Sequence, residues 1–311
     1  MSRAKPERRG GRAAGVKLAR AATALTCLYV LAGVLATACA VCTRRPPNHS
    51  SGIDLSRVNN WWILIGHSNA FDALDWRTRT RDAEMVILSD DPRIPVGELP
   101  PGTLRLGYLS VGEADRQNSD WPAIHNRPFL LDVDPNWPDN VRVDLRDPEW
   151  QRLLLGREVP HLLGRGFQGL MLDTIDVAPY LEQRDPARFA GMRRALIDWV
   201  AELRHRHPQI VLLANGTDAL ADVAPFVDGY VVEGLFATYD FGQRDYRPTT
   251  QNERAWKMAQ IDRAQKVARR PVFTIEYASV GDVALGQWAA TESADLGFHP
   301  YVTVKDINSL P

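Results

Sequence analysis

Two acidic residues each end an apolar run of the kind that forms a buried β-strand. Asp173 ends the run in GLMLDTID, and Glu233 ends the run in GYVVEGLF. Two neighbouring carboxyl groups can cleave a glycosidic bond, because one protonates the leaving oxygen while the other attacks the anomeric carbon or activates water. Burial and like charge would keep one of them protonated at neutral pH. The alternative is a purely structural role, with both acids paired to arginines.

Other polar and aromatic side chains follow predicted strands or lie in the segments between them, and they are candidate substrate-binding residues. They are Asp91, Tyr108, Ser110, Glu113, Trp137, Asp176, Asn215 and Tyr277. Aromatic rings at such positions pack against the C–H faces of sugars. For Asp91 and Asp176 an equally good interpretation is that each caps the following helix.

The motifs of other catalytic chemistries are missing from the sequence. It contains neither a GxSxG nor an HExxH pattern among its serines and seven histidines. The three cysteines (Cys27, Cys39 and Cys42) all lie in one N-terminal apolar stretch. The remainder therefore has no cysteine nucleophile, disulfide framework or cysteine zinc site. No metal and no cofactor are implied.

The elements that must position these residues are short apolar runs alternating with helical stretches. Eight strands are predicted: Trp61–Ile65, Met85–Leu88, Leu104–Ser110, Gly169–Leu172, Ile210–Leu213, Tyr230–Val232, Val272–Ile275 and Tyr301–Val304. Such alternation predicts an α/β fold with parallel strands, and eight of them favour a closed (β/α)8 barrel. The alternative, a doubly wound open sheet, usually carries a glycine-rich phosphate loop, which this sequence lacks. Active sites of such barrels lie at the C-terminal ends of the strands.

Helices are predicted between the strands. Asp-Pro pairs mark two helix starts, which predicts helices over about 148–163 and over 186–203, the second with a core-facing apolar stripe. A third helix is predicted over 250–268. The segment 112–146, rich in Pro, Asn, Asp and Trp, is predicted to be a long rim loop that shapes a substrate groove.

The N-terminal part of the chain differs in composition. Residues 1–20 are basic, residues 21–42 carry no charge, and residues 43–57 are typical of a linker, which leaves 58–311 as the catalytic domain. The apolar stretch is long enough to span a bilayer, and its basic N-terminal flank predicts that the domain lies outside the cytoplasm. Three fates are open: a cleaved signal peptide, an uncleaved anchor, or a lipoprotein signal with Cys39 as the lipidated residue.

The net charge is divided unevenly along the chain. Residues 1–45 hold nine Lys/Arg and one acid; subtracting these from totals of 37 and 38 leaves 28 basic and 37 acidic residues, near −9. An acidic domain argues against nucleic acid as the partner. It suits a cationic ligand such as an aminosugar polymer, although a moderate negative charge also serves solubility alone.

Several motifs together resemble glycoside hydrolase family 114, described as endo-α-1,4-polygalactosaminidase-like. The motifs are LGYLSVGEAD from Leu106, Asn136-Trp137, the helix start at Pro148–Trp150 and GLMLDTID from Gly169. The resemblance covers about residues 61–304. It implies a (β/α)8 barrel, catalytic Asp173 and Glu233, and a cleft lined by Tyr108, Glu113, Asp176 and Asn215. It also implies activity on galactosamine-containing polymers of microbial biofilms.

The sequence therefore predicts an exported or membrane-anchored, monomeric, endo-acting glycoside hydrolase. Retention of configuration is expected, with Asp173 as nucleophile and Glu233 as acid/base, and the reverse assignment stays open. Two alternatives use the same barrel. One is a non-catalytic carbohydrate-binding envelope lipoprotein, and the other is a structural envelope protein, because a fold does not fix a function.

Overall fold

The computed structural model describes residues 52–65 and 75–307. Eight parallel strands form one sheet in chain order: β1 (Trp61–Leu64), β2 (Met85–Leu88), β3 (Leu104–Ser110), β4 (Gly169–Asp173), β5 (Val211–Asn215), β6 (Gly229–Glu233), β7 (Val272–Tyr277) and β8 (His299–Thr303). Each strand pairs in parallel with the next. All eight predicted strands are therefore confirmed.

The sheet curls into a nearly closed barrel, and side chains join its first and last strands. The Trp61 Nε1 donates to the His299 carbonyl at 3.2 Å, and the rings of Trp61 and Tyr301 lie 5.4 Å apart. Pro300, which has no N–H to donate, lies in β8 at this edge, where a missing donor is tolerated. The predicted (β/α)8 fold class is confirmed.

The strands are buried on both faces because helices cover the barrel, as in other all-parallel sheets. Every residue of β1, β2, β5 and β7 is buried. The covering helices are Trp76–Arg79, Pro148–Leu153, Val159–Gly164, Val177–Arg184, Pro186–Phe189, Met192–Arg206, Leu220–Val223, Gln251–Val267 and Val283–Asp295. Short 3-10 turns lie at Leu55–Arg57, Val96–Glu98, Thr217–Ala219 and Ala224–Phe226.

Two of the three predicted helices form as expected. Asp147 caps the first by accepting from the Glu149 N–H at 2.7 Å, and a π-helical turn, Leu154–Glu158, joins its two α-helical halves. Thr250 and Glu253 form a capping box at the start of Gln251–Val267. Such reciprocal capping satisfies two backbone donors that a helix start would otherwise leave unpaired.

The prediction of one continuous helix over 186–203 was wrong. The structure has a short helix, Pro186–Phe189, and a separate one, Met192–Arg206. Gly191 lies between them with φ 89°, a left-handed conformation that glycine adopts without steric cost. The apolar spacing continues across the break, and therefore the pattern did not reveal it.

The segment 112–146 is not the irregular loop that its composition predicted. It contains strands Glu113–Asp115, Leu130–Val133 and Asn140–Val143, paired antiparallel with the third in the middle, and a short helix, Trp121–Ile124. We call this segment the rim sheet. Arg142 lies in its central strand with ion pairs to Asp132 at 3.2 Å and Asp134 at 2.5 Å, which tie the strands to their connecting turn.

A second insertion between a barrel strand and the helix that follows it comes after β6. Strands Ala237–Asp240 and Asp245–Pro248 form an antiparallel hairpin. Its Phe241 ring lies edge-on to Trp137 of the rim sheet, with centroids 5.7 Å apart. The hairpin and the rim sheet therefore meet beyond the C-terminal ends of the strands.

The predictions for residues 1–20, 21–42 and most of 43–57, including lipidation of Cys39, fall outside the described residues. Among residues 52–65 and 75–307, no helix has the length and apolar character needed to cross a membrane.

Candidate active site

The two carboxylates predicted from strand ends lie side by side. Asp173 ends β4, Glu233 ends β6, and Asn215 ends the intervening strand β5. The Asn215 side-chain amide donates to Asp173 Oδ1 at 2.8 Å and to Glu233 Oε1 at 2.6 Å. One amide nitrogen thus bridges the two acids, and its two protons are both used.

Each carboxylate also accepts a hydrogen bond from a tyrosine. Tyr108 of β3 donates to Asp173 Oδ2 at 2.7 Å, and Tyr277 of β7 donates to Glu233 Oε2. Burial and then the nearby carboxylates raise the pKa of both phenols well above the ordinary value, so both stay protonated donors. Five predicted residues therefore form one cluster across strands β3 to β7.

The surroundings of Asp173 and Glu233 favour the protonated form of a carboxyl group. Burial, reinforced by the charge of Glu233, raises the pKa of Asp173 well above its ordinary value. Two such groups titrate as a pair, and the first proton is held more tightly than either acid would hold it alone. The raised pKa of Asp173 therefore favours a proton on this cluster near neutral pH.

A cavity of about 280 Å³ lies against the rim sheet and reaches the turn after β4, and its lining includes neither Asp173 nor Glu233. Its lining residues are Glu113, Asp134, Trp137, Arg142, Thr174, Asp176, Val177 and Tyr180. Three carboxyl groups thus face one guanidinium. Burial raises the pKa of Glu113 to about 7 and that of Asp176 to about 6. The cavity is anionic once these acids ionise.

Three of the predicted binding residues line this cavity. Glu113 is buried and accepts from the Asn140 amide at 3.0 Å. Asp176 stands at the N-cap position of helix Val177–Arg184, but its side chain makes no capping hydrogen bond. This leaves its carboxylate directed to the cavity rather than committed to the helix. Trp137 is 39% exposed at the rim.

The other two predicted residues have local structural contacts. The Asp91 carboxylate accepts from Arg93 at 2.9 Å and 2.6 Å, and it is buried. Ser110 Oγ donates to the Glu113 carbonyl at 2.9 Å, which holds the turn that leads into the rim sheet. Their hydrogen bonds are thus to the scaffold that surrounds the cluster.

Sequence reasoning missed several residues of the site. Lys257, on helix Gln251–Val267, donates to the Glu233 carbonyl at 2.7 Å and to the Gly234 carbonyl at 2.6 Å. It reads in the sequence as an ordinary helix lysine, yet burial lowers its pKa. Arg142 and Asp134 of the rim sheet were hidden because the segment was interpreted as a loop. Thr174 was not identified as a site residue, because attention went to Asp173 and Asp176 of the same motif.

A (β/α)8 barrel with hydrogen-bonded carboxylates at the ends of β4 and β6 has the architecture and chemical groups of a barrel glycoside hydrolase. The comparison with protein families agrees. The chain belongs to glycoside-hydrolase family GH114, whose family model matches residues 99–310. The predicted family resemblance is confirmed, and the protein is a glycoside hydrolase.

The similarity to known proteins, in sequence or in structure, covers most of the domain. The glycoside hydrolase domain of PelA from Pseudomonas aeruginosa is 25% identical, with a TM-score of 0.66, covering 81% of this chain and 96% of that one. Aspergillus fumigatus Ega3, solved in complex with galactosamine, is 16% identical with a TM-score of 0.57, covering 81% and 93%, and shares the fold. An uncharacterized protein of Deinococcus radiodurans is 28% identical over 272 residues, 82% of this chain and 83% of its own.

Proposed function

We propose that this glycoside hydrolase is endo-acting and cleaves internal bonds of an α-1,4-linked galactosamine-containing exopolysaccharide. Its nucleophile is Asp173 and its acid/base is Glu233. The observation that carries this proposal is the Asn215 amide bridge, which holds two carboxyl groups from different strands at one point of the barrel mouth. In the first step Asp173 attacks the anomeric carbon while Glu233 protonates the leaving oxygen. In the second, Glu233 takes a proton from the water that releases the sugar.

The spacing of the two acids supports retention of configuration. The hydrogen bonds of 2.8 Å and 2.6 Å share the side-chain nitrogen of Asn215. The distance between Asp173 Oδ1 and Glu233 Oε1 is therefore at most 5.4 Å. Retaining enzymes hold their carboxyl groups about 5–5.5 Å apart, whereas inverting enzymes leave about 6.5–9.5 Å for a water. The short bridge favours direct attack by a carboxylate.

The charge of the cavity supports an aminosugar substrate. Glu113, Asp134 and Asp176 face a single arginine there, and an ammonium group entering the cavity would favour their ionised forms. Among the structural neighbours, Ega3 was solved with galactosamine bound. Hydrolysis should therefore fall as salt screens this attraction, and cleavage unchanged between low and high salt would contradict ammonium recognition.

The central test measures reducing-end release from a partly deacetylated α-1,4-galactosamine polymer by the full chain, Asp173→Asn and Glu233→Ala. Loss of about 10³-fold or more in both variants, with unchanged melting curves, is expected for principal catalytic groups. Appearance of long before short oligosaccharides would support endo cleavage. No release by the unmodified enzyme would reject this polymer as the substrate.

The reverse assignment of roles is the second candidate, because burial and the charge of Glu233 raise the pKa of Asp173 and so favour its protonated form. We place the nucleophile at Asp173 because its side chain is the shorter of the two, while the longer Glu233 side chain can serve both the leaving oxygen and water. Azide with an activated aryl oligosaccharide separates the two assignments. Removal of the nucleophile gives a glycosyl azide of inverted configuration, and removal of the acid/base gives a retained one.

We also propose that residues 21–42 direct the domain out of the cytoplasm, as their charge-free length and basic flank predict. Cell fractionation, with Cys39→Ser as a variant, tests this. Loss of membrane association in that variant alone would identify a lipid anchor. An unprocessed chain recovered from the cytoplasm would contradict export.

A further inference from the structure

Thr174, directly after Asp173, has a backbone conformation that its residue type disfavours. Its φ is 56°, and the other non-glycine residues with positive φ in the described part of the chain are Arg244 and Ile307. A β-branched residue is a genuine outlier in this region, and such outliers persist only where the surroundings enforce them. The strain lies next to one member of the carboxylate pair.

The Thr174 hydroxyl is the centre of a group of contacts that enforce this conformation. Its Oγ1 donates to the Asp173 carbonyl at 2.7 Å and accepts from the Gly112 N–H at 2.8 Å. Ser110 Oγ lies 2.9 Å from the same oxygen. The Val111 N–H also donates to the Asp173 carbonyl, at 2.9 Å. We call this group of residues, 110–112 with 173–174, the β3–β4 lock.

Steric fit adds to the lock. A Cβ placed on Gly112 would lie 2.3 Å from the Thr174 carbonyl oxygen and 2.7 Å from Val177 Cβ, far inside contact distance. Only glycine therefore lets the end of β3 approach the turn after β4 so closely. Because β3 also carries Tyr108, the lock fixes both the Asp173 backbone and the phenol that donates to its carboxylate.

We propose that Thr174 is a positioning residue, whose hydroxyl holds Asp173 at attacking distance and alignment. The inference deepens the proposed function, since it rests on Asp173 being one of the two reacting carboxyl groups. A nucleophile displaced by about 1 Å can lose about 10²-fold in rate. Thr174 also lines the neighbouring cavity, but the group that moves when its hydroxyl is removed is the reacting carboxylate. Removal of the hydroxyl therefore lowers kcat by a much larger factor than it changes KM.

The test compares Thr174→Ala with the conservative Thr174→Ser in the full chain. In Thr174→Ala, kcat on the galactosamine polymer should fall about 10²-fold, a much larger factor than any change in KM. In Thr174→Ser, which keeps Oγ and removes the β-branching methyl, kcat should stay within about threefold of the unmodified value. The matched control is Thr103→Ala, since Thr103 is buried before β3 at the opposite end of the barrel and donates to the Ala83 carbonyl at 2.9 Å.

A second readout does not need turnover. Carbon-13 NMR of labelled aspartate follows the titration of the Asp173 carboxyl, which should be displaced in Thr174→Ala but not in Thr174→Ser or Thr103→Ala. If the Asp173 titration is displaced in Thr174→Ala but the unmodified enzyme does not hydrolyse the polymer, the positioning role of Thr174 is supported and the proposed substrate is rejected. A titration and a kcat that match the unmodified protein, or an equal loss in the serine and alanine variants, would overturn the proposal.

Discussion

Replacement of Asn215 by alanine isolates the contribution of the amide bridge to the carboxylate pair. The variant removes a hydrogen bond from each acid, at 2.8 Å to Asp173 and 2.6 Å to Glu233, and leaves each with its tyrosine donor. Hydrogen bonds that favour the charged form lower the pKa of a carboxyl group, so their loss raises it. Both limbs of a bell-shaped pH–rate profile should therefore move to higher pH.

The size of the shift follows from the strength of the lost bonds. A hydrogen bond to a charged group contributes about 1.5–3 kcal/mol, and one pKa unit corresponds to about 1.36 kcal/mol. Because one amide serves two acids that share a proton, part of the effect cancels, and we expect each limb to rise by about one pH unit. The loss of a preorganised donor should also lower kcat/KM by about 10²–10³-fold.

The assay is reducing-end release from the galactosamine polymer at closely spaced pH values. Asn60→Ala is the matched control, because the Asn60 amide donates to the Asp82 carbonyl at 2.7 Å just before β1, at the far end of the barrel. Its profile should match that of the unmodified enzyme. Profiles of Asn215→Ala with unmoved limbs, or a shift to lower pH, would refute the reasoning that the bridge stabilises charge on the pair.

Three further predictions concern the surroundings of the pair. Lys257→Met removes the donor to the Glu233 and Gly234 carbonyls, which should cost about 2–3 kcal/mol and lower Tm by about 5–10 °C in a thermal melt; an unchanged Tm would contradict this. Burial raises the pKa of Glu276 to about 7, so its contribution to stability is full below about pH 4.5 and declines as pH rises through 7. Glu276→Gln should therefore be about 3 kcal/mol more stable than the unmodified protein at pH 8 in urea unfolding, with the difference vanishing at low pH. Trp137→Ala should raise KM for the polymer about tenfold with little change in kcat, whereas Trp256→Ala, 47% exposed on helix Gln251–Val267, serves as the control and should change neither.

The barrel and its two central acids were predictable because they depend on local pattern. Each strand is a short apolar run buried on both faces, and such runs stand out in a sequence whatever they pack against. Asp173 and Glu233 were identified because a polar residue that ends such a run must lie at the barrel mouth. The Asp147-Pro148 signal is equally local, and the helix that it predicts starts at Pro148.

Features that depend on contacts between distant segments were not predictable in this way. The rim sheet pairs strands that are short, polar and separated by turns, so composition alone indicated a loop. The break at Gly191 left the apolar spacing intact. Lys257 and Arg142 acquire their roles only from carbonyls and carboxylates that the fold brings to them.

The sequence by itself determined which strand ends carry the acids, since alternating apolar runs and helices leave few ways to close a parallel sheet. Only the tertiary structure decided that Asn215 bridges Asp173 and Glu233 and that Thr174 is held in a left-handed conformation beside them. The physical reason is range. A buried strand can be predicted from a few neighbouring apolar residues. A hydrogen bond between side chains of three strands depends on the curvature and register of the barrel, and no short stretch of sequence determines these.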